Sequence, residues 1–271
     1  MPAFPLDAFL AGLPWAGAGL AVLLAGTFAV AVRQNRHSVI DTAWGLGFVV
    51  VAGIAWFLSE GHGDGGRRLL LLVLVAVWGI RLAVHIGLRS RGGHEDPRYV
   101  DLLSSAHGSR HLYALRRVYL PQGVVLFFVS LTVQVGMFST GRLGWLALAG
   151  VLLWILGFVF ETVGDRQLAQ FKDDPARRGT VLHTGLWRYT RHPNYFGDAA
   201  VWAGLFLVAA DSWPGVLTVL SPALMIWTLA GKTGKPLTEQ AMAGRPGYRE
   251  YIESTSGFLP LPPRRAGGRR G

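Results

Sequence analysis

The chain has 271 residues, of which 51% are hydrophobic and 15% are charged. Soluble domains carry roughly 25% charged residues, so this composition predicts a membrane protein. The chain has no cysteine, which excludes disulfides, thiolate metal sites and cysteine nucleophiles. The formal net charge is +10. In a membrane protein, an excess of basic residues is explained by the loops that face the cytosol. We therefore expect no nucleic-acid partner.

Seven apolar segments approach the length of about 20 residues that a helix needs to cross a bilayer. They are residues 14–32, 39–58, 69–88, 119–138, 143–160, 195–210 and 213–229. The last segment contains Pro214 and Pro222, and proline removes an intrahelical hydrogen bond. The final two segments therefore form a kinked pair of helices or a re-entrant hairpin. The sequence predicts an all-α, polytopic membrane protein with about seven transmembrane helices.

The basic residues divide unevenly between the two sets of loops. Of the 26 Lys and Arg residues, only Arg67, Arg68 and Arg142 lie in loops of the less basic face. Basic loops stay in the cytosol, so we expect the amino terminus outside and the carboxyl terminus in the cytosol. In a prokaryote this membrane would be the inner membrane. We expect a monomer with one seven-helix domain over residues 1–260 and a disordered basic tail over 261–271.

Ionisable side chains within the predicted helices gather toward the cytosolic end. Such groups cost several kcal/mol at membrane depth unless they are paired or hydrated, so each is a functional candidate. An alternative is that Arg81 pairs with Asp41 or Glu161 only to lock the helices together. The candidates are Asp41 in the second segment, Arg81, His85 and Arg89 at four-residue intervals in the third, and Glu161 and Asp165 after the fifth.

Two cytosolic segments combine arginines with aromatic rings. They are residues 89–101 (RSRGGHEDPRYVD) and 185–198 (GLWRYTRHPNYFGD). Rings stack on aromatic or guanidinium planes, and arginine forks bind phosphates, so the segments favour a ligand with both rings and phosphates. An interfacial aromatic belt would explain Trp187 and Tyr195 singly, but it does not explain the His-Pro-Asn-Tyr run. The sequence lacks GxGxxG, GxxxxGK[ST] and HExxH motifs and any metal-ligand spacing, so we expect neither a Rossmann domain nor a metal site.

The run 191–198 (RHPNYFGD), preceded by 185–189 (GLWRY), resembles the cofactor-binding signature of the steroid 5-alpha-reductase family, which is related to the sterol C14 reductases. The resemblance extends over about residues 35–260 and is closest to the bacterial branch. It also rests on Arg81, the HEDPRY run, Glu161 with Asp165, Lys235-Pro236, Tyr248, Tyr251 and Phe258-Leu259-Pro260. The resemblance implies an enzyme that uses NADPH to reduce a carbon–carbon double bond conjugated to a ketone in a steroid-like 3-oxo lipid.

The resemblance implies that the cofactor contacts lie on the cytosolic side, at the positions that match the family, and the two arginine-rich segments add further candidates. A surplus of cations favours NADPH over NADH, because the 2′-phosphate needs a positive partner. In mammalian members of the family, a Glu on the second helix and a Tyr on the third polarise the substrate carbonyl, and neither is present here. We therefore expect Asp41 as the acid, with His85 or Glu161 as the second donor. The expected cofactor contacts are Arg81, Arg89, Arg98, Tyr99, Asp165, Lys172, Trp187, Arg188, Tyr189, His192, Asn194, Tyr195, Asp198 and Lys235.

Two other functions compete with this interpretation. An RHPxY run followed by glycine also occurs in membrane methyltransferases that modify isoprenylated cysteine or phospholipid head groups with S-adenosylmethionine. A transporter would use intramembrane charges to mark a substrate path, with internal repeats and polar residues near the bilayer midplane. Here the charges lie mostly at one end of the helices, which disfavours transport.

Overall fold

The fold is described from a computed structural model, which covers residues 3–90, 94–232 and 234–264. These residues form α-helices joined by short loops, and no strand occurs among them. The basic tail expected over residues 261–271 lies outside the described residues from position 265 onward. The α-helices of the described ranges are α1 Leu6–Gln34, α2 Val39–Leu58, α3 Gly65–Arg89, α4 Pro97–Ser104, α5 Arg110–Ala114, α6 Leu120–Phe138, α7 Trp145–Asp173, α8 Pro193–Ala210, α9 Leu220–Trp227, α10 Lys235–Met242 and α11 Tyr248–Ser254.

The described residues contain six helical stretches that are long and apolar enough to cross a membrane. This confirms the prediction of an all-α, polytopic membrane protein. The count falls short of about seven because α8 is not among the six, and its first two turns carry Asn194 and Asp198. The stretches are Leu6–Gln34, Val39–Leu58, Gly65–Arg89, Arg110–Phe138, Trp145–Asp173 and Gly215–Met242.

The sixth stretch is not one continuous α-helix. It begins with the 3-10 turn Gly215–Val219, continues through α9 and the π-helical turn Thr228–Lys232, and ends in α10. Pro214 precedes the 3-10 turn and Pro222 lies in the first turn of α9. Both positions tolerate proline because the first backbone N–H groups of a helix have no intrahelical acceptor.

The contacts divide the chain into two compact units. The first unit contains the described residues of Met1–Ala147 and Phe206–Ser221, and the second contains those of Leu148–Leu205 and Pro222–Gly271. The prediction of one domain over residues 1–260 stays a prediction.

In the first unit, α2 and α3 are in backbone contact. A Cβ atom on Gly45 would lie 2.4 Å from the carbonyl oxygen of Gly79, so only glycine permits this approach. Next to it, Phe48 and Trp78 are buried and their rings pack edge to face with centroids 5.7 Å apart. The pair of helices thereby forms the centre of the core of this unit.

Two of the three arginines predicted to lie on the non-cytosolic face are buried in the first unit. Arg67 is fully buried and donates to the carbonyl oxygen of Gly141 at 3.0 Å and to Oδ2 of Asp211 at 3.2 Å. Arg68 donates to Oγ of Ser59 at 2.8 Å. Since most of their donors have acceptors within the chain, these cations hold loops together.

In the second unit, glycines let α7 and α8 pack with their backbones in contact. A Cβ atom on Gly157 would lie 2.5 Å from the carbonyl oxygen of Gly197, and one on Gly197 would lie 2.4 Å from the backbone nitrogen of Glu161. One heptad along, a Cβ atom on Gly204 would lie 2.6 Å from the carbonyl oxygen of Gly150. The seven-residue spacing keeps these glycines on one face of each helix, and this packing sets polar side chains of α7 against α8.

Candidate functional site

The polar centre of the second unit lies between the second half of α7 and the start of α8. Glu161 and Asp165 are four residues apart on α7, and Asn194 and Asp198 are four apart on α8, so each pair shares a helix face. Asn194 Nδ2 donates to Oδ1 of Asp165 at 3.2 Å, and the Asp165 residue is only 8% exposed. Glu161 is also buried. The structure thus joins two predicted cofactor contacts, Asp165 and Asn194, in one hydrogen bond.

The segment before α8 is fixed against α7. The indole Nε1 of the buried Trp187 donates to the carbonyl oxygen of Gly164 at 3.1 Å. Gly185 has a φ of +62°, and a Cβ atom there would lie 2.4 Å from Nε2 of Gln167. Oε1 of Gln167 accepts from the backbone N–H of Leu186 at 3.0 Å. Trp187, a predicted cofactor contact, therefore serves at least to anchor the signature segment.

Arg191 and His192 share one carboxylate. Nη2 of Arg191 donates to Oε1 of Glu239 at 2.8 Å, and Nε2 of His192 lies 3.2 Å from the same oxygen. Burial lowers the pKa of His192 to about 4, although Glu239 and its hydrogen bond act in the opposite direction. The imidazole is therefore neutral near pH 7, and it can donate its Nε2 proton to Glu239.

Tyr195 joins α8 to α10. Its hydroxyl lies 3.2 Å from Oγ1 of Thr238, and its ring stacks on that of His192 with centroids 5.3 Å apart. Lys235, another predicted cofactor contact, is half-buried at the start of α10. The remaining predicted contacts of this unit, Lys172, Arg188 and Tyr189, are exposed.

In the first unit, Asp41 accepts hydrogen bonds from two predicted cofactor contacts. Tyr99 Oη donates to Oδ1 of Asp41 at 2.5 Å, and Arg98 Nη2 donates to Oδ2 at 2.9 Å. Tyr99 is 7% exposed, whereas the side chain of Arg98 is 57% exposed. Burial, followed by the charge of Asp41, raises the pKa of Tyr99, so its hydroxyl stays protonated. The cluster combines a carboxylate, a cation and a buried proton donor.

The HEDPRY run explains how Tyr99 reaches Asp41. The Glu95 carboxylate accepts from the backbone N–H groups of His37 at 2.6 Å and Ser38 at 2.9 Å, which docks the segment onto the start of α2. Burial by itself would raise the pKa of Glu95, but these donated hydrogen bonds outweigh it and lower the pKa. Asp96 then caps α4 by accepting from the backbone N–H of Arg98 at 2.9 Å.

The three polar residues predicted to share one face of α3 also lie in the first unit. Arg81 and His85 are half-buried, and Arg89 is exposed at the end of the helix. Of the three predicted catalytic residues, Asp41 and His85 therefore belong to the first unit, whereas Glu161 belongs to the second.

Sequence reasoning missed two polar residues that the structure makes central. Glu239 lies four residues after Lys235 on α10, and this spacing could have linked it to the predicted site. His37 is fully buried, with its Nε2 3.0 Å from Nδ1 of His111. Burial and then the neighbouring His111 lower the pKa of His37. The two histidines are 74 residues apart in the chain, so no local pattern signals the pair.

Comparison with known sequences matches most of the chain to one family. The sequence profile of a family described as proteins of unknown function, DUF1295, matches residues 27–255. An uncharacterized protein of Schizosaccharomyces pombe is 24% identical over 270 aligned positions, which cover 85% of this chain and 74% of that protein. No solved structure matches the chain.

Proposed function

Since this chain belongs to the DUF1295 family, described as proteins of unknown function, we propose from its own contacts that it is a membrane-embedded reductase. It uses NADPH to reduce a carbon–carbon double bond conjugated to a ketone in a steroid-like 3-oxo lipid. The observation that carries the proposal is the hydrogen bond between Asp165 and Asn194, at the glycine-packed contact of α7 and α8. This pair lies within the RHPNYFGD signature and its partner helix.

The residue chemistry at this contact suits a nucleotide. Asn194 offers both a donor and an acceptor, and Asp165 offers acceptors for ribose hydroxyls or a carboxamide. Asp165 lies on α7, a helix apolar enough to cross a membrane, where a carboxyl group costs stability unless it serves a function. Lys235 at the start of α10 and Arg188 before α8 supply cations of the kind that phosphates require.

We assign carbonyl activation to Tyr99 and Asp41. When bound, NADPH supplies the hydride that reduces the β-carbon of the enone. When substrate binds, Tyr99 turns its single O–H from Asp41 to the carbonyl oxygen, where negative charge develops as the enolate forms. Before substrate binds, Asp41 accepts that proton at 2.5 Å and holds the hydroxyl oxygen in place, and Arg98 donates to the other carboxylate oxygen of Asp41. The α-carbon takes its proton from water, which completes the saturated ketone.

This assignment changes one part of the expected mechanism. The sequence predicted Asp41 as the acid and Tyr99 as a cofactor contact. In the proposal Tyr99 is the donor and Asp41 positions it, because the pKa of Tyr99 is raised and its hydroxyl keeps the proton near neutral pH.

The test is equilibrium binding of NADPH and of S-adenosylmethionine to detergent-purified protein, followed by NADPH oxidation with a steroid 3-oxo-4-ene. We expect NADPH to bind and Asn194→Ala to weaken its binding by roughly tenfold, the loss typical of a polar contact to a ligand. The control is Gln170→Ala, an exposed position on α7 that should bind NADPH normally. Binding of S-adenosylmethionine without NADPH would establish the methyltransferase alternative and overturn the proposal.

A further inference from the structure

The end of the described chain runs alongside the signature segment of the second unit. After α11, residues 255–261, here called the C-terminal strap, make backbone contacts with residues 189–191. The backbone N–H of Arg191 donates to the carbonyl oxygen of Ser256 at 2.9 Å, and that of Leu261 donates to Tyr189 at 3.0 Å. Between them, Oγ1 of Thr190 donates to the carbonyl oxygen of Phe258 at 2.8 Å. Three hydrogen bonds thus pair the strap with the residues directly before α8.

The guanidinium of Arg191 is the centre of this contact. Its Nε and Nη2 donate to Glu239 on α10 at 3.0 and 2.8 Å. Its Nη1 donates to the carbonyl oxygens of Thr255 at 2.6 Å and Ile252 at 3.2 Å. Arg191 is only 9% exposed. A guanidinium has five N–H donors, and these contacts occupy four of them.

The side chain of Arg191 is closely packed. A Cβ atom on Gly257 would lie 3.2 Å from Nη2 of Arg191 and 3.0 Å from Nζ of Lys235. Tyr251 on α11 donates its hydroxyl proton to the carbonyl oxygen of Trp187 at 2.6 Å. The strap, α10 and α11 therefore enclose the side chain of Arg191 within protein.

From these contacts we infer that Arg191 is a positioning residue, through which the C-terminal strap and Glu239 fix the start of α8. It is not a phosphate ligand, although it lies in the arginine-rich signature. Asn194 follows Arg191 by three residues, so loosening Arg191 displaces the Asp165–Asn194 pair. This inference rests on the proposed function in one respect, namely that the positioned pair binds NADPH.

The test combines a measurement without cofactor and one with it. In Arg191→Lys and in Glu239→Gln, hydrogen–deuterium exchange of the purified protein should rise together in peptides covering 185–191 and 255–261. The affinities for NADPH and NADH should fall by the same factor, on the order of tenfold to a hundredfold, because a displaced site loses both ligands equally. The control is Arg249→Lys on α11, whose side chain is 88% exposed, and it should leave exchange and affinity unchanged.

Each possible result decides the inference. Unchanged exchange in both variants would overturn it, as would increased exchange with unaltered affinity. A loss confined to NADPH, with NADH binding intact, would identify Arg191 as a phosphate ligand and also overturn it. If the unsubstituted protein binds neither dinucleotide, the proposed function fails, whereas the exchange measurement still tests the coupling of the strap to residues 185–191.

Discussion

The hydroxyl of Tyr99 lies 2.5 Å from the carboxylate of Asp41, although 58 residues separate them in the chain. Tyr99 comes from the short helix α4, which Glu95 docks onto the amino-terminal end of α2. The pair therefore depends on a loop contact and not on the pattern within any one transmembrane helix. In it a protonated hydroxyl donates its hydrogen bond to a carboxyl group.

The first prediction concerns this pair. Tyr99→Phe should lower the turnover number by about 10²- to 10³-fold, the usual loss when one donor to a developing oxyanion is removed, with NADPH affinity unchanged. Asp41→Asn should lower turnover in the same direction because the hydroxyl loses its orientation. Steady-state kinetics with saturating NADPH measure both effects. Tyr113→Phe on α5 is the control, and full activity of Tyr99→Phe would remove Tyr99 from the mechanism.

The second prediction concerns Asp165 and Asn194, which should act on NADPH as one unit. Each single alanine variant should weaken NADPH binding, and the double variant should lose less than the sum of the two free-energy changes. Contacting residues of this kind have coupling energies of about 0.5–3 kcal/mol. Titration calorimetry of the four proteins measures the coupling energy. Strict additivity would show that the two side chains contribute to binding independently.

The third prediction concerns the glycine contact between α7 and α8. Gly197→Ala would place a Cβ atom 2.4 Å from the backbone nitrogen of Glu161, and backbone cannot move aside cheaply. The clash should destabilise the protein by about 1–3 kcal/mol, which exceeds the gain of roughly 1 kcal/mol from helix propensity. Gly53→Ala on α2 is the control, since no heavy atom lies within 4 Å of its Cβ position. Thermal unfolding in detergent should show a lower Tm for Gly197→Ala alone.

The fourth prediction is a pH dependence of stability caused by His192. Its pKa falls from 6.5 to about 4 on burial, so the unfolded chain takes up a proton at a higher pH than the folded protein does. The stabilisation is therefore fully present above pH 6.5 and is lost as the pH falls toward 4. The loss amounts to about 3 kcal/mol at 1.36 kcal/mol per pKa unit.

Comparison with His192→Gln isolates this contribution. Glutamine can donate to Glu239 but does not titrate. The unsubstituted protein should therefore lose unfolding free energy relative to His192→Gln as the pH falls from 7 to 4.5. Parallel stability curves for the two proteins over that range would contradict the assignment of this pH dependence to His192.

The fifth prediction concerns the membrane crossing of α8. Because the chain has no cysteine, single cysteines can be labelled without background. If α8 crosses the bilayer, Arg178→Cys and Trp213→Cys should react with a membrane-impermeant maleimide from opposite sides. The basic-loop prediction places Arg178 in the cytosol. Labelling of both positions from the same side would show that α8 does not cross.

Composition and hydropathy were sufficient to predict the class of this protein. A bilayer core requires about 20 apolar residues per helix and internal satisfaction of every backbone hydrogen bond, so the spans are visible in the sequence itself. The four-residue spacing also predicted that Glu161 and Asp165 share one face of α7. Gly150 and Gly157 are seven residues apart, and so are Gly197 and Gly204. This spacing is a signal of close helix packing that the sequence contained and our prediction did not use.

The hydrogen-bond partners of the charged side chains were visible only in the tertiary structure. The structure shows Arg98 and Tyr99 hydrogen-bonded to the carboxylate of Asp41, and no sequence pattern indicated either contact. Likewise Arg191, which lies in the arginine-rich signature, donates to Glu239, which is 48 residues away along the chain. Helical periodicity defines which residues share a face of one helix, but the partner of a charged group depends on which helices and loops meet, and that is determined by packing of the whole fold.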